Sequence, residues 1–165
     1  MLVLTVVAIG CYAYLGGLNK PAIQIKTSQK RMVAGKEYAG PANSNELGRL
    51  FQETVRLVEA KKLPNTMANI YYNNPEKRED SIKAFVGVLV SDTTQTLPAG
   101  YSLRYLPETK KIVQASVKAH FILAPNKLYP ALFEYIQENK LKTKDEFLEF
   151  FGPDNQATLQ VEILP

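Results

Sequence analysis

The stretch TMANIYYNNPEKREDSIKAFVGVLV, residues 66–90, predicts two β-strands joined by a turn. The first strand covers about 66–73 and ends at Asn73-Asn74-Pro75, a strong turn signal that leads into a charged loop over 76–80. The second strand covers 82–91, and its side chains alternate, with aliphatic ones on one face: Ile82, Ala84, Val86, Val88 and Val90. Such alternation is typical of a strand that buries one face.

A helix is predicted before these strands, over about 44–62. Asn43 followed by Glu46 fits a capping box at its start, and Pro64 blocks its continuation. Its apolar side chains follow the three-four spacing of one buried stripe: Leu47, Leu50, Phe51, Thr54, Leu57 and Val58. Residues 22–39 predict one strand or a bent pair of strands, with a bulge at Gly35.

The order strand–helix–strand–strand, found over about 22–92, returns over about 111–164. A loop over 92–100 and a short strand over 101–106 join the two repeats. The second repeat is predicted as a strand over 111–119, a helix over 127–140, and strands over 147–152 and 157–164. Asn74-Pro75 in the first repeat corresponds to Gly152-Pro153 in the second, which indicates a duplicated unit.

This duplication predicts the fold class, because neither unit alone could cover both faces of a sheet. We expect an α+β domain in which duplicated β-α-β-β units form an antiparallel sheet backed by two helices. The helix-free face would then offer a groove between the repeats, which is a usual place for a ligand.

The N-terminal residues 1–19 carry no charged side chain. A span of the bilayer takes about 20 residues, so Met1 to Leu18 predict a transmembrane helix that anchors a domain over 20–165. A cleaved signal peptide, a lipoprotein signal at Cys11 and a buried element of the domain remain alternatives. Positive residues follow the segment and none precedes it. This distribution predicts a single-pass membrane protein with a cytoplasmic soluble domain.

Composition excludes several function classes. The formal net charge is +4, and basic and acidic residues are interspersed without a basic stripe, so we expect no nucleic-acid partner. One cysteine, Cys11, and one histidine, His120, exclude an internal disulfide and metal motifs with paired histidines. No convincing Ser-His-Asp or Cys-His set can be assembled, so the sequence predicts no catalytic residues and no cofactor.

Several stretches resemble the gyrase-inhibitor-like family, whose fold is of the SOUL or effector-binding kind. They are Tyr71-Tyr72-Asn73-Asn74-Pro75, Ile82 to Val88, Leu128-Tyr129-Pro130-Ala131-Leu132 and Val161 to Pro165. The resemblance covers about 22–165 and looks closest to the membrane-anchored, testis-expressed ER-phagy receptor branch. It implies the duplicated fold, and a groove in which multidrug-sensing members bind lipophilic cations at a buried acidic residue among aromatics.

By that resemblance, Glu162 is the candidate acidic residue, with Tyr71, Phe85 and Tyr105 lining the same groove. A carboxylate in an apolar cage favours a cation, and ring faces add cation–π attraction. A solvated sheet face is the alternative for Glu162. The predicted function is therefore a membrane-tethered domain that binds a small hydrophobic or cationic ligand. A membrane adaptor for a protein partner and a hydrolase of electrophilic small molecules are the alternatives.

Overall fold

The computed structural model describes residues 2–75, 81–91 and 96–165. The predicted charged loop over 76–80 and the beginning of the predicted loop over 92–100 lie outside these residues. The described chain contains three α-helices and eight strands: α1 (Leu2–Tyr14), β1 (Ala22–Thr27), β2 (Arg31–Gly40), α2 (Asn45–Glu59), β3 (Met67–Tyr71), β4 (Ile82–Val90), β5 (Ser102–Leu106), β6 (Lys111–Lys118), α3 (Pro125–Glu138), β7 (Thr143–Phe151) and β8 (Gln156–Ile163).

All eight strands form one antiparallel sheet in the order β1-β6-β8-β7-β3-β4-β2-β5. The order is symmetric about its centre, where β7 of the second repeat pairs with β3 of the first. Ile70 lies opposite Leu148 in this pair. The two residues are related by the same sequence offset as Asn74 and Gly152, so a pseudo-two-fold axis passes between them. The predicted α+β class with its duplicated antiparallel sheet is confirmed.

The predicted element at 22–39 is two separate strands in opposite halves of the sheet. β1 pairs with β6 of the second repeat, whereas β2 pairs with β4 and β5 of the first. The predicted bulge at Gly35 is wrong, since β2 and β4 stay in register through the pair Gly35–Gly87. The glycine is needed for another reason: a Cβ at Gly35 would lie 2.4 Å from the Val86 carbonyl oxygen.

Helices α2 and α3 cover one face of the sheet and lie over its two flanks. α2 packs chiefly on β4 and β2, and α3 on β6 and β8. In α2 the predicted stripe is buried at Leu47, Leu50 and Thr54. The N-cap is Ser44 rather than Asn43: the Ser44 Oγ accepts a hydrogen bond of 3.0 Å from the Leu47 amide. Because α2 begins at Asn45, Asn43 lies one residue too early to cap it.

The N-terminal helix α1 is 13 residues long. At 1.5 Å per residue it extends about 20 Å, against a hydrocarbon core of about 30 Å. No helix within the described ranges is long and apolar enough to cross a membrane, so the predicted transmembrane helix is not found there. α1 ends because Gly16 adopts a φ of 80°. The Gly16 and Gly17 amides then bond back to Ala13 and Tyr12 in a Schellman motif.

Candidate ligand-binding site

A cavity of about 510 Å³ opens on the helix-covered face, over the central strands β3 and β7. It exists because α2 and α3 cover the flanks of the sheet and leave space above the seam between the repeats. Its volume lies within the range of small-molecule sites. Most lining side chains are apolar or aromatic, and the full set is Phe51, Val55, Met67, Asn69, Tyr71, Pro75, Ala119, Phe121, Ile122, Pro125, Tyr129, Glu149, Phe151, Gly152, Asn155 and Gln156.

The floor of the cavity carries a cluster of three polar side chains: Asn69, Tyr71 and Glu149. Alternate residues of a strand share a face, so Asn69 and Tyr71 of β3 both point toward the helices. Glu149 of β7 lies directly opposite Asn69 in the sheet. The Asn69 Nδ2 donates a hydrogen bond of 3.3 Å to the Glu149 Oε2. Glu149 is only 5% exposed, so this carboxyl group is almost fully removed from bulk water.

Tyr71 also bonds to this carboxyl group. Burial raises the pKa of the Tyr71 hydroxyl well above its usual range, and the charge of Glu149 and the hydrogen bond to it raise the pKa further. The hydroxyl therefore keeps its proton at neutral pH and donates a hydrogen bond to Glu149. Two side-chain donors from one strand thus hold the carboxyl group of the neighbouring strand at the floor.

Aromatic rings form much of the cavity wall. Phe51 comes from α2, Tyr129 from α3 and Phe151 from β7, and Phe121 lies in the segment between β6 and α3. The Tyr129 ring packs at 5.8 Å, centroid to centroid, against Phe147, which fixes its position above the sheet. Among the described lining residues, Glu149 is the one with a formal charge. A single carboxylate inside a ring-lined cavity suits a ligand with an apolar body and a positive charge.

The four residues predicted from the sequence do not share one groove. Tyr71 lines the cavity, whereas Phe85 is fully buried in the core on the helix-free face. Tyr105 is 62% exposed on the edge strand β5. Glu162 lies on the helix-free face as predicted, where its carboxylate contacts Lys144 Nζ at 2.6 Å and Lys110 Nζ at 3.9 Å. The cavity of about 510 Å³ lies on the opposite face, because the helices stand apart over the seam instead of closing it.

Sequence reasoning missed Glu149 and Asn69, although a signal was present. Phe147, Glu149 and Phe151 alternate along one face of β7, so a carboxylate stands between two aromatic residues. A polar residue at an otherwise apolar position of a buried strand is often functional. Asn69 between Met67 and Tyr71 on β3 shows the same pattern.

Solved structures with this fold cover most of the chain. The integron cassette protein VCH_CASS2 from the mobile metagenome of Vibrio cholerae gives a TM-score of 0.66 at 13% identity, covering 86% of this chain and 95% of its own. SAV2435 bound to tetraphenylphosphonium gives 0.58 at 10% identity, covering 86% and 92%. The C-terminal domain of EcmrR gives 0.56 at 14% identity, covering 89% and 98%. No family model matches the sequence, and no curated protein matches it at a significant level.

These likenesses establish the fold. The chain shares its fold with these proteins, and its duplicated β-α-β-β units are those that the resemblance to the gyrase-inhibitor-like family implied. The ER-phagy receptor branch finds no support among the comparisons and stays a prediction.

Proposed function

We propose that this chain binds lipophilic cations in the cavity between α2 and α3, with Glu149 as the anionic partner. The observation that carries the proposal is a carboxyl group, 5% exposed, at the floor of an aromatic-lined cavity of about 510 Å³. A protein of the same fold, SAV2435, was solved bound to tetraphenylphosphonium, which is such a cation.

The electrostatics of the cavity favour a cation over a neutral ligand. A carboxylate removed from water loses hydration, and two side-chain donors offset only part of that loss. A unit positive charge about 4 Å away gains about 4 kcal/mol at an effective dielectric constant of 20, before the desolvation of both ions is subtracted. Ring faces of Phe51, Tyr129 and Phe151 add cation–π attraction, which is strongest where water is excluded.

The test compares two carboxylates of the same chain by isothermal titration calorimetry with tetraphenylphosphonium. The full chain is used as wild type, Glu149→Gln and Glu162→Gln. We expect Glu149→Gln to weaken binding at least tenfold, about 1.4 kcal/mol, and Glu162→Gln to bind as the wild type does. A loss confined to Glu162→Gln would instead support the sequence-based site on the helix-free face. No binding to the wild type would refute the proposal for this cation.

A hydrolase is a second candidate, because the same groups could act on a bound electrophile. Glu149 could accept a proton from a water molecule whose oxygen attacks an epoxide carbon, and the C–O bond of the ring breaks. The Tyr71 hydroxyl could then turn from the neutralised carboxyl group to the developing alkoxide, which takes up the proton held by Glu149 to complete the diol. A pair of reactive and unreactive aromatic epoxides would separate the two functions. Release of diol that is lost in Glu149→Gln would favour the hydrolase, whereas saturable binding without product would favour the cation-binding domain.

Membrane tethering remains part of the proposal for the N-terminal segment. It is supported by exposed apolar or aromatic side chains on α1 and just after it, at Val7, Tyr12, Tyr14 and Leu18. Flotation of the full chain with liposomes tests it, with a chain that begins at Lys20 as the control. Equal recovery of both chains in the soluble fraction would count against the tether.

A further inference from the structure

One polar atom of the cavity is not explained by binding a cation alone. Asn69 is 2% exposed, and its Oδ1 has no hydrogen-bond partner among the described residues. A buried acceptor without a partner is energetically costly, so proteins rarely leave one without a role. Because Asn69 lines the cavity, a bound molecule is the natural partner for this atom.

The proposed function, in which Glu149 is ionised, determines which atom of the Asn69 amide is the acceptor. The Asn69 Nδ2 lies 3.3 Å from the Glu149 Oε2, and an ionised carboxylate can only accept hydrogen bonds. The amide must therefore turn its NH₂ group toward Glu149. The remaining amide atom is then the carbonyl oxygen, which needs a donor.

We infer that the preferred ligand is a protonated primary or secondary amine attached to an aromatic body, and this inference rests on the proposed function. Directly opposite residues of an antiparallel pair have Cβ atoms about 4.5–5.5 Å apart. One ammonium group can therefore donate to the Asn69 Oδ1 and to the Glu149 carboxylate together. A quaternary ammonium or phosphonium ion has the charge but no N–H, so it satisfies Glu149 and leaves Asn69 without a donor.

Asn69 and Glu149 both line the cavity, so a ligand ammonium group that enters it meets the Asn69 Oδ1 and the Glu149 carboxylate together. The aromatic body would then lie against the rings of the wall.

The test uses two probes that differ only at nitrogen: 3,3-diphenylpropylamine, protonated at pH 7, and its N,N,N-trimethyl derivative. Calorimetry on the full chain gives both dissociation constants for the wild type and for Asn69→Leu, a side chain of similar shape without the acceptor. A primary ammonium loses more hydration on binding than a quaternary one, so the two affinities differ for a reason unrelated to Asn69. The readout is therefore the change in their ratio between the wild type and Asn69→Leu. We expect the ratio to shift toward the quaternary probe by about tenfold or more in Asn69→Leu.

A second variant, Asn69→Ala, repeats the comparison in case Asn69→Leu folds poorly, and it should shift the ratio in the same direction. An unchanged ratio, with both probes still binding the wild type, would overturn this inference and leave the proposed cation site intact. Failure of both probes and of tetraphenylphosphonium to bind the wild type would overturn the cation site, and this inference with it.

Discussion

Removal of the Tyr71 hydroxyl tests the geometry of the cavity floor without any ligand. In Tyr71→Phe the ring stays in place and Glu149 loses one of its two described side-chain donors. A hydrogen bond to a charged group contributes about 1.5–3 kcal/mol. For a chain of this size each kcal/mol lowers the melting temperature by about 2–4 °C, so we expect a decrease of roughly 3–12 °C. The neighbouring Tyr72 is exposed, and Tyr72→Phe should change stability by about 0.5 kcal/mol or less.

The assay is urea unfolding of the full chain, extended to a double-mutant cycle with Glu149→Gln. In the Gln background the hydroxyl meets a neutral acceptor, so Tyr71→Phe should cost about 1 kcal/mol and the coupling energy should be of similar size. The reasoning is refuted if Tyr71→Phe costs no more than Tyr72→Phe. A coupling energy of zero would show that the Tyr71 hydroxyl does not donate to Glu149.

Three further predictions concern the cavity, a half-buried carboxyl group and the sheet. Val55→Phe adds a ring at the cavity wall, so the affinity for tetraphenylphosphonium should fall at least tenfold in calorimetry, and an unchanged affinity would place the ligand elsewhere. Burial raises the pKa of Glu146 above 4.5, so the folded state favours the protonated form and stability is lost as the pH rises above 4.5. The loss of stability up to pH 7 should be smaller in Glu146→Gln than in the wild type, and equal losses in the two proteins would contradict this prediction. Gly87→Ala places a Cβ 2.0 Å from the Ala34 carbonyl oxygen and should cost about 1–3 kcal/mol or more in urea unfolding, whereas Gly48→Ala, with nothing within 4 Å, should be neutral or stabilising.

The duplicated order of elements could be predicted from the sequence because it depends on local patterns. The three-four stripe of α2 and the alternation of β4 are each set within one segment, and both are present as predicted. The division of residues 22–39 into two strands, β1 and β2, was harder to predict from the sequence. The two strands join opposite halves of the sheet, and their placement depends on partner strands far away in the chain.

The candidate site was harder to predict because its two strands come from different repeats. Neither β3 nor β7 carries a local signal that they pair, so the meeting of Asn69 with Glu149 was invisible in the sequence. Glu162 was predicted from the family resemblance, but its carboxylate contacts Lys144 and Lys110 on the helix-free face. Of the four predicted residues Tyr71 lines this cavity, and it was chosen from the resemblance to the family rather than from its pattern.

The position of the polar cluster follows from the symmetry of the fold. Each helix covers the flank of its own repeat, so the two strands at the pseudo-two-fold axis, β3 and β7, have a gap above them. Apolar side chains from both strands could have filled that gap and stabilised the domain. Instead Asn69 and Glu149 face each other there, one with an acceptor that no described residue satisfies and the other with a carboxyl group removed from water. Groups that destabilise a core are expected where a bound ligand compensates for them. The ligand then supplies the hydrogen-bond donor and the positive charge that the empty cavity lacks.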